Sequence, residues 1–179
     1  MADRLALFVD AQNVYKGAQR AFFLFSAYHP EGQFDPMKLG ELISSRPPPD
    51  TTRVLHQVRV YTGRPDATKE PKTHAAHMKQ CAAWERAGAT VITRSLRYPS
   101  DWPNVKPQQK GVDVALAIDF VALAIDGEYD VGVIASTDTD LRPALEFVYR
   151  RCYPSRQVEV VNWDSPTTQN RLRIPGASI

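Results

Sequence analysis

Two aspartates with one residue between them close the stretch Gly132-Val133-Ile134-Ala135-Ser136-Thr137-Asp138-Thr139-Asp140-Leu141. A second apolar run, Leu5-Ala6-Leu7-Phe8-Val9, leads into Asp10, with Asn13 three residues later. A third carboxylate, Asp113, stands in Lys110-Gly111-Val112-Asp113-Val114-Ala115-Leu116. A charge beside a core is costly unless a cation or hydrogen bonds compensate it. Asp10, Asp113 and Asp138, with Asp140 as a fourth, are the donors that a hard divalent cation such as Mg²⁺ takes, usually through one or two carboxylates plus water and substrate phosphate. A metal held there could activate a water for in-line attack on a phosphodiester. Asn13 could orient a water or a phosphate oxygen without adding charge. The hydroxyls of Ser136 and Thr137 could bond a carboxylate or a phosphate, and Lys110 could contact the phosphodiester backbone.

Each of these residues also has a purely structural use. Asp10 could cap the first helix, and Asp138 or Asp140 the helix that follows the fourth strand. Asp113 falls in the first turn of its helix, where the dipole favours an acid. Asp119 is six residues further on, roughly 120° around the helix from Asp113, and reads as a hydrogen-bonded acid of the interior. His74 and His77 share a helix face but lack a third ligand, which reads as a surface feature. Three acids at one end of one sheet weaken the structural readings jointly.

The elements that must position these residues alternate. Leu5 to Val9 reads as a strand buried on both faces. Val14 to Phe25 reads as a helix, and its aromatic cluster Phe22, Phe23, Phe25 and Tyr28 as core in preference to a partner surface. Asp35-Pro36 looks like an N-cap and first helical residue of a segment that Pro47-Pro48-Pro49 ends. A strand is expected over Arg53 to Tyr61, with Thr62 to Asp66 as a loop, then a helix over Glu70 to Ala87 with Gly88 as its left-handed cap. Ala89 to Thr93 is expected as the third strand, and Arg94 to Gln109 as a long ordered loop. Val112 to Ile125 is apolar nearly all round and predicts a central, buried helix. Tyr129 to Ser136, Leu141 to Arg151 and Gln157 to Asn162 follow as strand, helix and strand. The alternation predicts an α/β fold with a mainly parallel sheet of about five strands, flanked by helices. In such sheets the site lies at the carboxyl ends of the strands, near the switch point.

The chain has 179 residues, 43% apolar and 23% charged, enough for one domain with a sizeable core. We expect one domain over residues 1–162, with 163–179 a tail packed on it or frayed. Formal net charge is +2, but residues 64–110 hold nine Lys/Arg against four Asp/Glu. A basic middle with Lys106, Lys110, Tyr98 and Trp102 beside an acidic centre would suit a polyanion, with bases stacking on the rings. The two cysteines have no metal-ligand spacing and read as free thiols of a reducing compartment. No signal-peptide pattern or membrane-length apolar run is present, so a cytoplasmic protein without membrane contact is expected. Walker A and dinucleotide glycine fingerprints are absent, and Asp138-Thr139-Asp140 continues without the glycine and distal glutamate of an EF-hand.

Phe8-Val9-Asp10-Ala11-Gln12-Asn13, Lys110-Gly111-Val112-Asp113-Val114-Ala115-Leu116-Ala117-Ile118-Asp119 and Ser136-Thr137-Asp138-Thr139-Asp140-Leu141 resemble, in order, the three signature blocks of the NYN domain, a PIN-like group that includes the LabA-like proteins. The resemblance spans about residues 5 to 162. It implies a PIN-like Rossmannoid sheet and an Mg²⁺- or Mn²⁺-dependent ribonuclease acting on RNA, most readily single-stranded. By position, Asp10, Asn13, Asp113, Asp138 and Asp140 carry over as the catalytic cluster, with Asp10, Asp113 and Asp138 as metal ligands. The sequence departs from the pattern where Ser-Thr-Asp-Thr-Asp-Leu replaces Ser-Gly-Asp-Ser-Asp-Phe, so that Thr137 stands where glycine would give closer backbone approach. Lys106, Lys110, Ser136 and Thr137 are the candidate substrate contacts. A monomer and a homo-oligomer are both compatible with the sequence. The alternative is a catalytically weak or inactive RNA- or protein-binding module on the same fold; a pure RNA binder, however, gains nothing from carboxylates facing phosphate.

Overall fold

The computed structural model describes residues 2–23, 30–164 and 172. Within them the chain runs β1 (Asp3–Asp10), α1 (Ala11–Phe22), α2 (Pro36–Ser44), β2 (Arg53–Arg64), α3 (Pro71–Arg86), β3 (Thr90–Ser95), α4 (Val112–Ile125), β4 (Val131–Ala135), a 3₁₀ turn (Thr139–Leu141), α5 (Arg142–Cys152) and β5 (Gln157–Val161). The strands form one sheet in the order β3-β2-β1-β4-β5, with every neighbouring pair parallel. The chain builds outward from β1 in one direction, then returns and builds outward in the other. The switch point therefore lies between the carboxyl ends of β1 and β4, where open α/β sheets hold their ligands.

The central strand explains the layering. Leu5 to Val9 are all 0% exposed, because alternate side chains of a strand face opposite sides and both sides are covered. Leu5, Leu7 and Val9 pack with Val14 of α1, Met37, Leu39 and Ile43 of α2 and Trp84 of α3. Ala6 and Phe8 face α4 and α5, packing with Leu116, Phe120, Leu145 and Val148. Phe8 meets the rings of Phe120 and Tyr129 edge-on at 5.1 and 5.6 Å, contacts worth about 1 kcal/mol each beyond burial. Helix ends follow their local chemistry. Asp35 accepts hydrogen bonds from the Met37 and Lys38 backbone N–H groups ahead of Pro36. Gly88, after α3, has φ +106°, which an L side chain resists.

The structure departs from the sequence expectations in three places. Thr62, Gly63 and Arg64 continue β2 rather than forming a loop, because they pair with Thr93, Arg94 and Ser95. Gly63 permits this, since a Cβ there would lie 2.5 Å from Leu96 and 2.7 Å from Gln109. Phe22 and Phe23 are exposed rather than core; Phe22 sits edge-on to Trp163 at 5.6 Å, while Phe25 and Tyr28 lie outside the described residues. Helix α4 is not buried all round. Val114, Ile118 and Ile125 are 60–62% exposed, because a helix in an outer layer buries only the face that meets the sheet and its neighbouring helix. Of the expected tail, residues 165–171 and 173–179 lie outside the described residues; Trp163 donates to the Val14 carbonyl at 2.8 Å, and Leu172 is buried in the α4–α5 core. No helix among the described residues is long and apolar enough to cross a membrane.

Candidate active site

Asp10 is the last residue of β1 and only 5% exposed. One carboxylate oxygen accepts the Asn13 backbone N–H at 3.1 Å, which makes Asp10 the N-cap of α1. The other accepts the Ser136 hydroxyl at 3.3 Å. Ser136 follows β4, the parallel neighbour of β1, so the pairing of Val9 with Ala135 brings the two residues to the same level. Ser136 is 1% exposed, and its oxygen also accepts the Asp138 backbone N–H at 3.1 Å. Of the two uses open to this hydroxyl in the sequence, the structure displays the bond to a carboxylate.

Asn13 joins the two strand ends from the other side. Its side-chain carbonyl accepts both the backbone N–H and the hydroxyl of Thr137, each at 3.0 Å. The residue that stands in place of the expected glycine thus adds a second bond to the latch between α1 and the β4 loop. With the carbonyl engaged, the Asn13 amide retains its NH₂ as a donor. Asp138 caps the 3₁₀ turn, accepting the Asp140 backbone N–H at 2.9 Å.

Asp113 arrives from α4. Gly111 is the N-cap of the helix, in the left-handed region with φ +74°. Nothing lies within 4 Å of where a Cβ would stand on Gly111, so the positive φ rather than crowding calls for glycine. Asp113 lies in the first turn and is half-buried.

The electrostatics join these acids. Burial pushes the Asp10 carboxyl up to about 6, against the bonds from Asn13 and Ser136, and the charges of Asp113 and Asp138 push it the same way. Asp113 is also raised, first by burial and then by Asp138 and Asp140. None of the four forms an ion pair among the described residues. The side chains nonetheless stand apart: among the described residues no three His, Cys, Asp or Glu side chains form a metal-holding group.

The remaining candidates are placed elsewhere. Asp119 accepts from Arg59 and from the Tyr61 hydroxyl, both at 2.8 Å. His74 bonds the Pro65 carbonyl and His77 meets the Cys81 sulfur. Lys106 and Lys110 are exposed in the loop before α4. Tyr98 and Trp102 pack edge-on at 5.7 Å with the Lys69 ammonium over both rings, and Tyr98 donates to Glu70. The sequence reading missed Arg20, Arg46 and Trp163, which line a groove opening beside Asn13 and Asp138. No local signal marks them, since three separate elements bring them together.

A family model described as the NYN domain matches residues 4–173. Among solved structures, the chain is similar to a protein of unknown function, VPA0982, from Vibrio parahaemolyticus RIMD 2210633. The TM-score is 0.54 at 18% identity, with 89% of this chain and 80% of that one covered; this likeness bears on the fold alone. No curated protein matches the sequence.

Proposed function

Because the chain belongs to the NYN domain family, whose fold is that of PIN-like nucleases, we propose that it is a metal-dependent endoribonuclease cutting RNA at the crevice between β1 and β4. The observation that carries this reading is the set of four aspartates, unpaired by cations among the described residues, whose charges act on one another at the switch point. Carboxylates that raise one another's pKa are strained unless a cation joins them.

The donor set fits Mg²⁺ or Mn²⁺. Mg²⁺ commonly takes one or two carboxylates directly and keeps several waters, so acids that stand apart are compatible with it. Asp10, Asp113 and Asp138 would hold the ion, with Asp140 beside them. When bound, the ion supplies Lewis acidity, neutralising charge on the phosphate and making a water molecule more acidic.

The chain's own residues do the rest. Ser136 is a positioning residue, fixing the buried Asp10 carboxylate through its hydroxyl. Thr137 fixes Asn13 so that the amide NH₂ can donate to a phosphate oxygen or a water. Lys106 and Lys110 supply positive charge to the RNA backbone on the α4 side. A second reading, a weak or inactive binding module, is favoured by Asp10 and Asp138 already serving as caps. Labelled single-stranded RNA incubated with Mg²⁺ or Mn²⁺, with chelator and with Asp10→Asn in parallel, separates the two. Cleavage confined to the parent with metal supports the nuclease; intact RNA throughout supports the module.

A further inference from the structure

Beside the acidic crevice lies a groove of about 720 Å³. On this face of the sheet the helices follow β1 and β2, so no described helix covers β4 and β5, and the groove runs along that gap. One end is the acidic centre itself, since Asn13, Thr137 and Asp138 line both. The wall is apolar where Val14, Leu39 and Ile43 face it. Trp163 adds an aromatic surface, held in place by its bond to the Val14 carbonyl at 2.8 Å. Gly17 admits the ring, since a Cβ there would already stand 3.0 Å from it.

The charges in the groove are asymmetric. Arg53 and Glu159 neutralise each other in a two-pronged ion pair, with the Arg53 side chain 2% exposed. Arg20 and Arg46 are exposed at the rim, and neither forms an ion pair among the described residues. The groove therefore offers two cations, an aromatic ring and an apolar wall, in continuity with a centre that repels phosphate. Its volume lies within the range that encloses small organic ligands. A phosphodiester strand entering an acidic centre needs positive charge on either side of it. Lys106 and Lys110 stand on the α4 side; Arg20 and Arg46 stand on the opposite face of the sheet.

We propose that this groove is the subsite for the nucleotide next to the scissile phosphate, its base against Trp163 and the apolar wall and its outer phosphate at Arg20 and Arg46. The inference rests on the ribonuclease reading above. Bases stack on aromatic side chains with little regard to sequence, so this subsite gives affinity and register without base preference.

The test separates the groove from the centre. Binding of a fluorescent single-stranded oligoribonucleotide is measured by anisotropy in chelator across a salt series. The proteins are the parent, Arg20→Ala/Arg46→Ala, and Arg150→Ala/Arg151→Ala on α5 as a charge-matched control. Losing two phosphate contacts should flatten the salt slope by about 1.4, at about 0.7 per contact on a single strand, and weaken binding by about tenfold. The control should shift affinity by less than about twofold. Hydrolysis of bis(p-nitrophenyl) phosphate with Mn²⁺, which reports on the centre, should be equal in the parent and the Arg150→Ala/Arg151→Ala control. If both double variants bind RNA alike, the groove proposal is overturned, even where the parent cleaves RNA. If the parent hydrolyses neither substrate yet only the Arg20/Arg46 variant loses RNA affinity and salt slope, the nuclease reading falls and the groove stands as a nucleotide site.

Discussion

Replacing Asp10 by Asn in the metal-free protein should raise its stability above pH 6 and leave it unchanged near pH 3. The Asp10 carboxyl is pushed up to about 6 in the fold from an ordinary 3.8, chiefly by burial and further by Asp113 and Asp138. An acid whose folded pKa is raised binds its proton more tightly in the fold than in the unfolded chain. Below about pH 3.8 both states are protonated and the group contributes nothing. Between 3.8 and 6 stability falls as pH rises, and above 6 the full cost of the buried charge remains. Two pH units at about 1.4 kcal/mol each make that cost roughly 3 kcal/mol. Asn keeps an acceptor for the Asn13 N–H, and the bonds that Asn13 and Ser136 make to the charge are already counted in the raised pKa. The gain is about 3 kcal/mol, or a Tm higher by roughly 6–12 °C for a domain of this size. Thermal melts of parent and variant in chelator, from pH 3 to 8, measure it. Added Mn²⁺ should then raise the Tm of the parent more than that of the variant, since the ion stabilises only the state that binds it. A variant that melts lower than the parent at every pH, with no pH dependence in the difference, would refute the reasoning and leave Asp10 as a cap.

Other perturbations separate scaffold from site. Asp119→Ala leaves the buried Tyr61 hydroxyl and the Arg59 guanidinium without their acceptor; urea denaturation should register a loss of about 1–3 kcal/mol while RNA cleavage is retained. Gly111→Ala forces a side chain into φ +74°, which should cost about 1–2 kcal/mol and, by moving the first turn of α4, lower the cleavage rate in a single-turnover assay. Asp130 is held below its ordinary range mainly by the Arg4 guanidinium, so its contribution is present above the ordinary carboxylate pKa and is lost as the pH falls through the lowered one. Asp130→Asn should therefore destabilise at pH 7, by under about 1 kcal/mol for so exposed a pair, and match the parent in acid melts.

Much of the scaffold is legible where local chemistry decides it. The run Leu5 to Val9 has no polar position and is buried on both faces; Asp35 before Pro36 caps its helix; Val112 to Ile125 is bounded by glycine on one side and by Asp126-Gly127 on the other. Asp10 and Asp138 come to the same end of the sheet because the apolar strands that lead to them are parallel neighbours. What escapes a reading by sequence is set by layers rather than by local pattern. The apolar residues of α4 outnumber those its position can bury, so Val114, Ile118 and Ile125 face outward. The length of β2 depends on what β3 offers it, and the tolerance of Gly63 for Leu96 and Gln109 appears only once both are in place. A hydroxyl beside an acid reads alike whether it faces inward or outward; the burial of Ser136 behind Asp10 follows from the register of β4. The groove escapes for the same reason, since Arg20, Arg46 and Trp163 come from separate elements.

The central claim, that the acids at the β1–β4 crevice hold a metal on the scissile phosphate, is tested most directly by sulfur substitution. An RNA carrying one phosphorothioate at the cleaved linkage, with its two diastereomers separated, is cleaved by the parent in Mg²⁺ and in Mn²⁺. Mg²⁺ bonds oxygen far better than sulfur, whereas Mn²⁺ tolerates the softer ligand. The account predicts that one diastereomer is cut poorly in Mg²⁺, that Mn²⁺ restores the rate, and that Asp113→Asn abolishes cleavage in both. Equal rates for oxygen and sulfur substrates in both metals, or full activity in Asp113→Asn, would contradict it.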